Sequence, residues 1–204
     1  SPVTIGSSVN PWIGNITLND LTFTGANQAS VTVYTTTGNI TLNNVAVNNQ
    51  ANGKNTALLG STSGNIAVSN GTYDGNNSNS AGFSATTTSG SITISDTSFT
   101  ENKKPTPAST FDGATLSAPV VTLTNVTATS NDGNGIKINN ADVVTLNNVL
   151  ANSNGTDITP LGAANNTGSG VFFNGNAGSS LFINGGGFNS NQKYGVEVGN
   201  PANT

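Results

Sequence analysis

Apolar and polar residues alternate in a short phrase that the chain repeats seven times. The first copy runs from Ile16 to Phe23, and every second residue is apolar as far as Leu18 and again from Leu21. Alternation with a period of two predicts a β-strand with one buried face. A short unit that recurs with insertions of variable length predicts a solenoid, in which each copy forms one coil of a stack. The seven copies begin at Ile16, Ile40, Ile66, Ile92, Val121, Val144 and Leu181.

One residue in each copy interrupts the alternation and predicts a corner between two strands. The inward positions step by two from Ile16 to Leu18 but by three from Leu18 to Leu21, so one extra residue has to turn the chain. Asn, Asp and Gly stand at this place, and these residues tolerate left-handed backbone angles. Because coils stack about 4.8 Å apart, amides in such a column can hydrogen-bond to one another. The predicted corner ladder consists of Asp20, Asn44, Asn70, Asp96, Asn125 and Asn148, with Gly185 in the last copy.

A third strand completes each predicted coil, and a second Asn column runs through five of the seven copies. The third strand is short and apolar, as in Val31-Thr-Val33 and Ile136-Lys-Ile138. Three short strands separated by Asn and Gly corners resemble the right-handed parallel β-helix of the pectin-lyase-like superfamily and of bacterial surface adhesin passengers. We therefore expect an all-β chain, a single right-handed parallel β-helix solenoid over residues 1–204 with about eight coils of three short strands; its hand is implied by the resemblance. The second column contains Asn76, Asn102, Asn131, Asn154 and Asn191.

The chain carries little charge, which excludes several classes of partner. Charged residues make up 7% of the sequence, with five basic and nine acidic side chains, and there is no His, Cys or Met. Such a sequence offers no basic patch for nucleic acid and no run of about 18 apolar residues for a membrane span. An abundance of Asn, Thr, Ser and Gly fits a secreted protein, so we expect an extracellular or cell-surface location in a prokaryote.

Two insertions predict a groove along one edge of the stack. Residues 101–113 and 155–168 leave their coils at the second Asn column, so the two loops should project from the same edge, two coils apart. They gather much of the charge of the chain, which suits a carbohydrate or a calcium site, but loops also carry charge because they are solvated, and the sequence favours that explanation. The candidate groove residues are Glu101, Lys103, Lys104, Asp112, Asp132, Lys137 and Asp157.

Catalysis and metal binding have little support in these residues. Enzymes of the resembled superfamily use Arg, Lys or His with clustered carboxylates, and this chain has neither Arg nor His. Hydrolysis of a glycoside would need a carboxylate pair from Asp112, Asp132 and Asp157. The segment from Asp132 to Asn134 is a fragment of a calcium loop without the bidentate Glu. We expect no catalytic residue and no cofactor, with calcium at Asp132 and Asn134 as the alternative.

The outward face of the first strand forms a regular column of threonines. Ala67 and Phe182 interrupt this column. A flat lattice of Thr beside Asn resembles the faces of ice-binding solenoids, although Thr is favoured on any exposed strand face. The column contains Thr17, Thr41, Thr93, Thr122 and Thr145.

The function that the sequence predicts is structural. We expect a non-catalytic adhesin, stalk or filament unit, a segment of a longer surface protein or a filament subunit. Its partners would be adjoining coils of the same protein or further copies stacked end to end, because uncapped coils expose strand edges. The alternatives are a polysaccharide-binding or polysaccharide-cleaving module and an ice-binding face. The apolar residues offered at the two ends are Val3, Ile5 and Trp12 in the first coil and Tyr194, Val196 and Val198 in the last.

Overall fold

The computed structural model describes residues 2–25, 30–48, 55–75, 82–103, 111–155 and 168–199. Lys104 and Asp157, and Asn76 of the second Asn column, lie outside these ranges. The described residues form β-strands and no helix. The strands are β1 (Val3–Ile5), β2 (Ile16–Thr24), β3 (Val31–Thr35), β4 (Ile40–Asn48), β5 (Ala57–Ser61), β6 (Ile66–Ser69), β7 (Thr72–Asp74), β8 (Phe83–Thr87), β9 (Ser91–Ser95), β10 (Ser98–Thr100), β11 (Ala114–Ser117), β12 (Val120–Thr124), β13 (Thr127–Thr129), β14 (Ile136–Asn139), β15 (Val143–Asn152), β16 (Val171–Asn174), β17 (Ser180–Gly187) and β18 (Val196–Gly199).

Each strand pairs in parallel with its equivalent one coil further along the chain. The third strands form an eight-stranded sheet in the order β1-β3-β5-β8-β11-β14-β16-β18. The repeated phrases form a ten-stranded sheet that bends at the predicted corner. In the middle of the stack the corner splits the phrase into two strands, such as β6 and β7, whereas β4 and β15 run through it. The all-β parallel solenoid predicted from the alternation is confirmed.

The number of coils is smaller than predicted. We call one copy of the phrase, with the third strand that follows it, a level. Seven levels run from β2 to β18 and enclose about six turns instead of eight. The described ranges contain seven phrases but eight third strands, because β1 precedes the first phrase and completes no turn with it. A turn is complete only when the chain returns to the same strand one level on.

Stacked aliphatic columns fill the interior, as the alternation predicts. In the middle levels the inward side chains are fully buried, as are Leu123 and Leu146 with 0% exposure. Burial of such a side chain contributes about 1.5–3 kcal/mol. In the terminal levels the same columns are only partly covered, and Ile183 in β17 is 43% exposed. The core therefore continues to both ends of the described stack.

Three aromatic rings fill the core at the levels where one inward column carries small residues. The column holds Gly71 and Thr97 at two successive levels, and Tyr73, Phe83 and Phe99 pack beside them with 0% exposure. Their ring centroids lie 4.8 Å apart for Tyr73 and Phe83 and 5.6 Å apart for Tyr73 and Phe99. A Cβ at Gly71 would lie 2.7 Å from the Tyr73 ring, so the glycine makes room for the aromatic cluster.

Candidate functional site

The corner ladder turns the chain with left-handed backbone angles. Its six Asn and Asp residues have φ between 48° and 56°. The side-chain amide of Asn44 donates to Asp20 at 2.7 Å, that of Asn125 to Asp96 at 2.9 Å and that of Asn148 to Asn125 at 3.0 Å. A carboxylate accepts but cannot donate, so a run of bonds begins at Asp20 and a new run begins at Asp96. Asn70, which precedes Asp96, donates instead to Asn43 at 3.0 Å.

The second Asn column forms a buried ladder. The amides of Asn102, Asn131 and Asn154 each donate to the Oδ1 of the next Asn, ending at Asn191, at 3.0 Å. Each Oδ1 also accepts the backbone N–H of the preceding Asn. Asn102, Asn131 and Asn154 are at most 1% exposed. The amides also donate to interior carbonyls, such as Phe99 O at 3.1 Å from Asn131, so this ladder saturates buried backbone groups.

Glycines before the third strand make room for the buried ladder. A Cβ at Gly113 would lie 2.6 Å from the amide nitrogen of Asn131, and one at Gly135 would lie 2.6 Å from that of Asn154. The Asn amide thus occupies the space that a side chain at the neighbouring strand would need. Asn and Gly are thus paired where the chain enters the third strand.

The predicted groove can be followed only at the roots of its two loops. The described ranges omit residues 104–110 and 156–167, which include Lys104, Asp157 and most of both loops. Glu101 lies at the second corner with φ 53°, and Lys103, two residues further on, forms an isolated β-bridge. The two projecting loops therefore remain a prediction. At the root of the first loop, the Asp112 carboxylate lies against Gly133, the residue after Asp132, and interacts with the charge of Lys137 in β14; we call Asp112, Asp132 and Lys137 the loop-root cluster.

Asp112 is the best-defined member of this loop-root cluster. Its Oδ1 accepts the backbone N–H of Asn134 at 2.8 Å and the side-chain amide of Asn134 at 3.0 Å. Its Oδ2 accepts the hydroxyl of Thr115 at 3.4 Å. Burial raises the pKa of Asp112 above its ordinary value, while the bonds from Asn134 and the charge of Lys137 act in the opposite direction. The carboxyl group thus ties the root of the first loop to the next level.

A chain of hydrogen bonds continues from this cluster toward the last level. The Oδ1 of Asn134 accepts the backbone N–H of Ser169 at 3.0 Å. The Ser169 hydroxyl donates to Glu197 at 2.6 Å, and Glu197 forms an ion pair with Lys193 at 2.6 Å. Ser169, Lys193 and Glu197 were not predicted as site residues. An alignment of the third strands could have indicated Glu197 as a site residue, because it shares one outward column with Lys137 and Phe172.

A metal site is not assembled in the described part of the chain. The described ranges hold no group of three or more Asp, Glu, His or Cys side chains placed to bind a metal ion. Asp132 and Asn134 are both buried, and Asn134 is already engaged by Asp112 and Ser169. Calcium at Asp132 and Asn134 remains an alternative prediction.

A shallow polar groove lies on the outer side of the corner ladder. It encloses about 390 Å³ and spans three levels in the middle of the stack. Among the described residues that line it, Asp96 is the one carboxylate, so this groove lacks the pair that glycoside hydrolysis requires. Its lining includes Asn70, Thr72, Asp96, Ser98, Asn125 and Thr127.

The threonine column is in register on the face of the ten-stranded sheet. Thr17 pairs with Thr41, Thr93 with Thr122, and Thr122 with Thr145. Ala67 and Phe182 occupy the same column, and Phe182 is 54% exposed. Binding of ice by this face stays a prediction.

No family model, curated protein or solved structure matches this chain. Nor do the described ranges contain a helix with the length and apolar character to cross a membrane.

Proposed function

We propose that this chain is a non-catalytic structural solenoid, secreted or on a bacterial surface, that serves as an adhesin, stalk or filament unit. The observation that supports the proposal best is the pair of uncovered terminal levels. Within the described residues, β1, β2, β17 and β18 each pair on one side only. Such edges present unpaired backbone groups that template pairing with another strand.

The last level exposes residues of the core columns. Ile183 aligns with the buried Leu146 and is 43% exposed, and Val198 aligns with the buried Phe173 and is 64% exposed. Tyr194, which precedes β18, is 54% exposed. A further level on this face would cover them as the inner levels cover their neighbours.

The first level is open in the same way. Val3 and Ile5 are only partly buried, although they align with the fully buried Val31 and Val33. Trp12 forms an isolated parallel bridge to Thr35 and is 54% exposed. Both ends therefore offer apolar columns in the register that a neighbouring level requires.

The neighbouring level is either a further coil of the same protein or the opposite end of another copy. Contact between two different ends is heterologous, so repeated stacking gives an open filament and not a closed dimer. Burial of the exposed columns would drive this contact at about 25 cal/mol per Å² of apolar surface. An adhesin or stalk is the same arrangement with the neighbouring coils supplied by one chain.

Light scattering and negative-stain electron microscopy at increasing concentration test this proposal. We expect the scattered mass to rise with concentration and the images to show unbranched rods one solenoid wide. A strictly monomeric protein whose terminal levels are protected from hydrogen exchange as well as the middle ones would contradict the filament form.

A polysaccharide-binding or polysaccharide-cleaving module is the second candidate, favoured by the loop-root cluster of Asp112, Asp132 and Lys137. Because the chain lacks Arg and His, we expect no reducing ends and no unsaturated uronates from a panel of plant, algal and bacterial polysaccharides, with or without calcium. Turnover abolished by Asp132→Asn or by Asp157→Asn would overturn the non-catalytic proposal.

A further inference from the structure

A second depression, of about 360 Å³, opens at the corner that leads from the eight-stranded sheet to the first strand of the next level. It lies between the C-terminal ends of β8 and β11, whereas Asp112 of the loop-root cluster lies before the N-terminal end of β11. We call it the corner notch. Its lining includes Thr86, Thr88, Ser117, Pro119 and Asn140.

The corner notch exists because the turn shortens between two levels. Thr86 pairs with Ser117 and Ser91 pairs with Val120. Residues 87–90 of one level therefore stand over residues 118–119 of the next, and the upper turn overhangs the lower one. The two preceding levels have turns of equal length, so the step occurs at this level.

The backbone hydrogen bonds between successive turns stop at the same level. In the preceding levels the turns are tied together, since Thr62 N–H donates to Thr35 O at 3.2 Å and Thr88 N–H donates to Thr62 O at 3.1 Å. Pro119 has no N–H to continue this series. No backbone N–H in the described ranges donates to the Thr88 carbonyl, which leaves an acceptor at the rim of the notch.

The notch combines apolar surface with neutral hydrogen-bonding groups. The Pro119 ring is partly exposed, while Thr86 and Thr88 are exposed. The Ser117 hydroxyl accepts the side-chain amide of Asn140 at 3.1 Å, which orients both groups. No Lys, Arg, Asp or Glu is among the described residues that line it, so an anionic ligand would find no opposite charge. A small concave site with an apolar wall and a few polar groups is the usual form of a ligand pocket.

We propose that the corner notch binds a neutral polyhydroxylated ring, either a free monosaccharide or the terminal sugar of a glycan. Ring hydroxyls would donate to the Thr88 carbonyl and exchange bonds with the hydroxyls of Thr86 and Ser117. The C–H face of the ring would pack on Pro119. This binding function goes beyond the proposed structural role and does not depend on end-to-end association.

Saturation-transfer NMR followed by calorimetry tests the proposal on the full chain. The probes are glucose, galactose, mannose and N-acetylglucosamine, each as the free sugar and as the methyl glycoside, with galacturonate as the anionic comparison. Thr86→Trp fills the notch from an exposed position. Ser84→Trp places the same ring at the other outward position of β8, away from the lining residues, and is the matched control.

We expect saturable binding of at least one neutral probe, little or none of galacturonate, and a loss of about tenfold or more in Thr86→Trp because the ring takes the place of the ligand. Ser84→Trp should bind as the parent does. Equal binding of free sugar and methyl glycoside identifies a glycan terminus, and binding of the free sugar alone identifies a monosaccharide. The proposal is overturned if no neutral probe saturates, if galacturonate binds as well, or if Thr86→Trp binds like Ser84→Trp while both variants melt as the parent does.

Discussion

Two Asn columns turn the same chain, but the hydrogen bonds they make differ in burial. The corner ladder faces solvent, so water can replace its side-chain bonds. The buried ladder satisfies interior carbonyls and neighbouring N–H groups that water does not reach. A buried polar group left without a partner costs about 1–3 kcal/mol. The two columns should therefore differ in their contribution to stability, although Asn is the commonest residue of both in the sequence.

Asn131→Ala should lower the free energy of unfolding by about 3 kcal/mol, since it removes the donor to the buried Phe99 carbonyl and the acceptor of the Asn102 backbone N–H. Asn125→Ala, at the exposed corner, should cost about 1 kcal/mol, chiefly for the left-handed backbone angle. Urea unfolding of the two variants measures the difference. A cost for Asn131→Ala no greater than that for Asn125→Ala would show that the second ladder is not buried.

Asp112 should make stability depend on pH. Burial raises the pKa of Asp112 in the folded protein above its unfolded value. The folded protein therefore holds this proton up to a higher pH than the unfolded chain does. Its contribution is present in full below the unfolded pKa, near 4, and is lost as pH rises through the folded pKa. We expect Asp112→Asn, which keeps an acceptor for Asn134, to flatten this fall in unfolding free energy measured by urea titration from pH 3 upward. Parallel curves for parent and variant would contradict the burial of the carboxyl group.

Residue-scale features could be predicted where residues recur from copy to copy, as at the corners and in the second Asn column. The left-handed corners follow from one extra residue between Leu18 and Leu21, and the structure has them at Asp20 and its equivalents. The bond between Ser169 and Glu197 could not be predicted, because Ser169 precedes β16 and lies outside the aligned strands. Alignment of the third strands places Glu197 in an outward column but does not give its partner.

At the scale of the element, each strand is stabilised by its inward side chains. In β12 these are Val121 and Leu123, both fully buried, while Thr122 points outward between them. Neighbouring levels hold β12 in exact register with β9 and β15 through Ile94 and Leu146. A cavity at Leu123 would thus open between two close-packed levels.

Leu123→Ala should lower the free energy of unfolding by about 2–5 kcal/mol, the usual cost of such a cavity. Thr122→Ala on the same strand is the matched control and should cost less than about 1 kcal/mol, since its side chain lies on the outer face. Thermal melts of both variants provide the comparison. A melt of Leu123→Ala within error of the parent would mean that the inward assignment of this column is wrong.

At the scale of the whole molecule, repetition made the fold predictable. Seven aligned copies give the inward columns and the parallel pairing together, and both are present in the structure. The number of turns was overestimated because the sequence does not show where a partial coil stops. The corner notch beside Pro119 could not be predicted, because it arises from a difference in turn length between two levels and not from any motif.

The central claim is that the terminal levels are association surfaces, and sedimentation velocity over a range of concentrations tests it most directly. Ile183→Lys places a charge on the exposed core column of β17, while Thr93→Lys places the same charge on the exposed face of a middle level. The account predicts that the parent and Thr93→Lys form larger species as concentration rises and that Ile183→Lys remains a single copy, with all three folded by circular dichroism. Equal association of the parent and Ile183→Lys, or a parent that stays a single copy at every concentration, would contradict it.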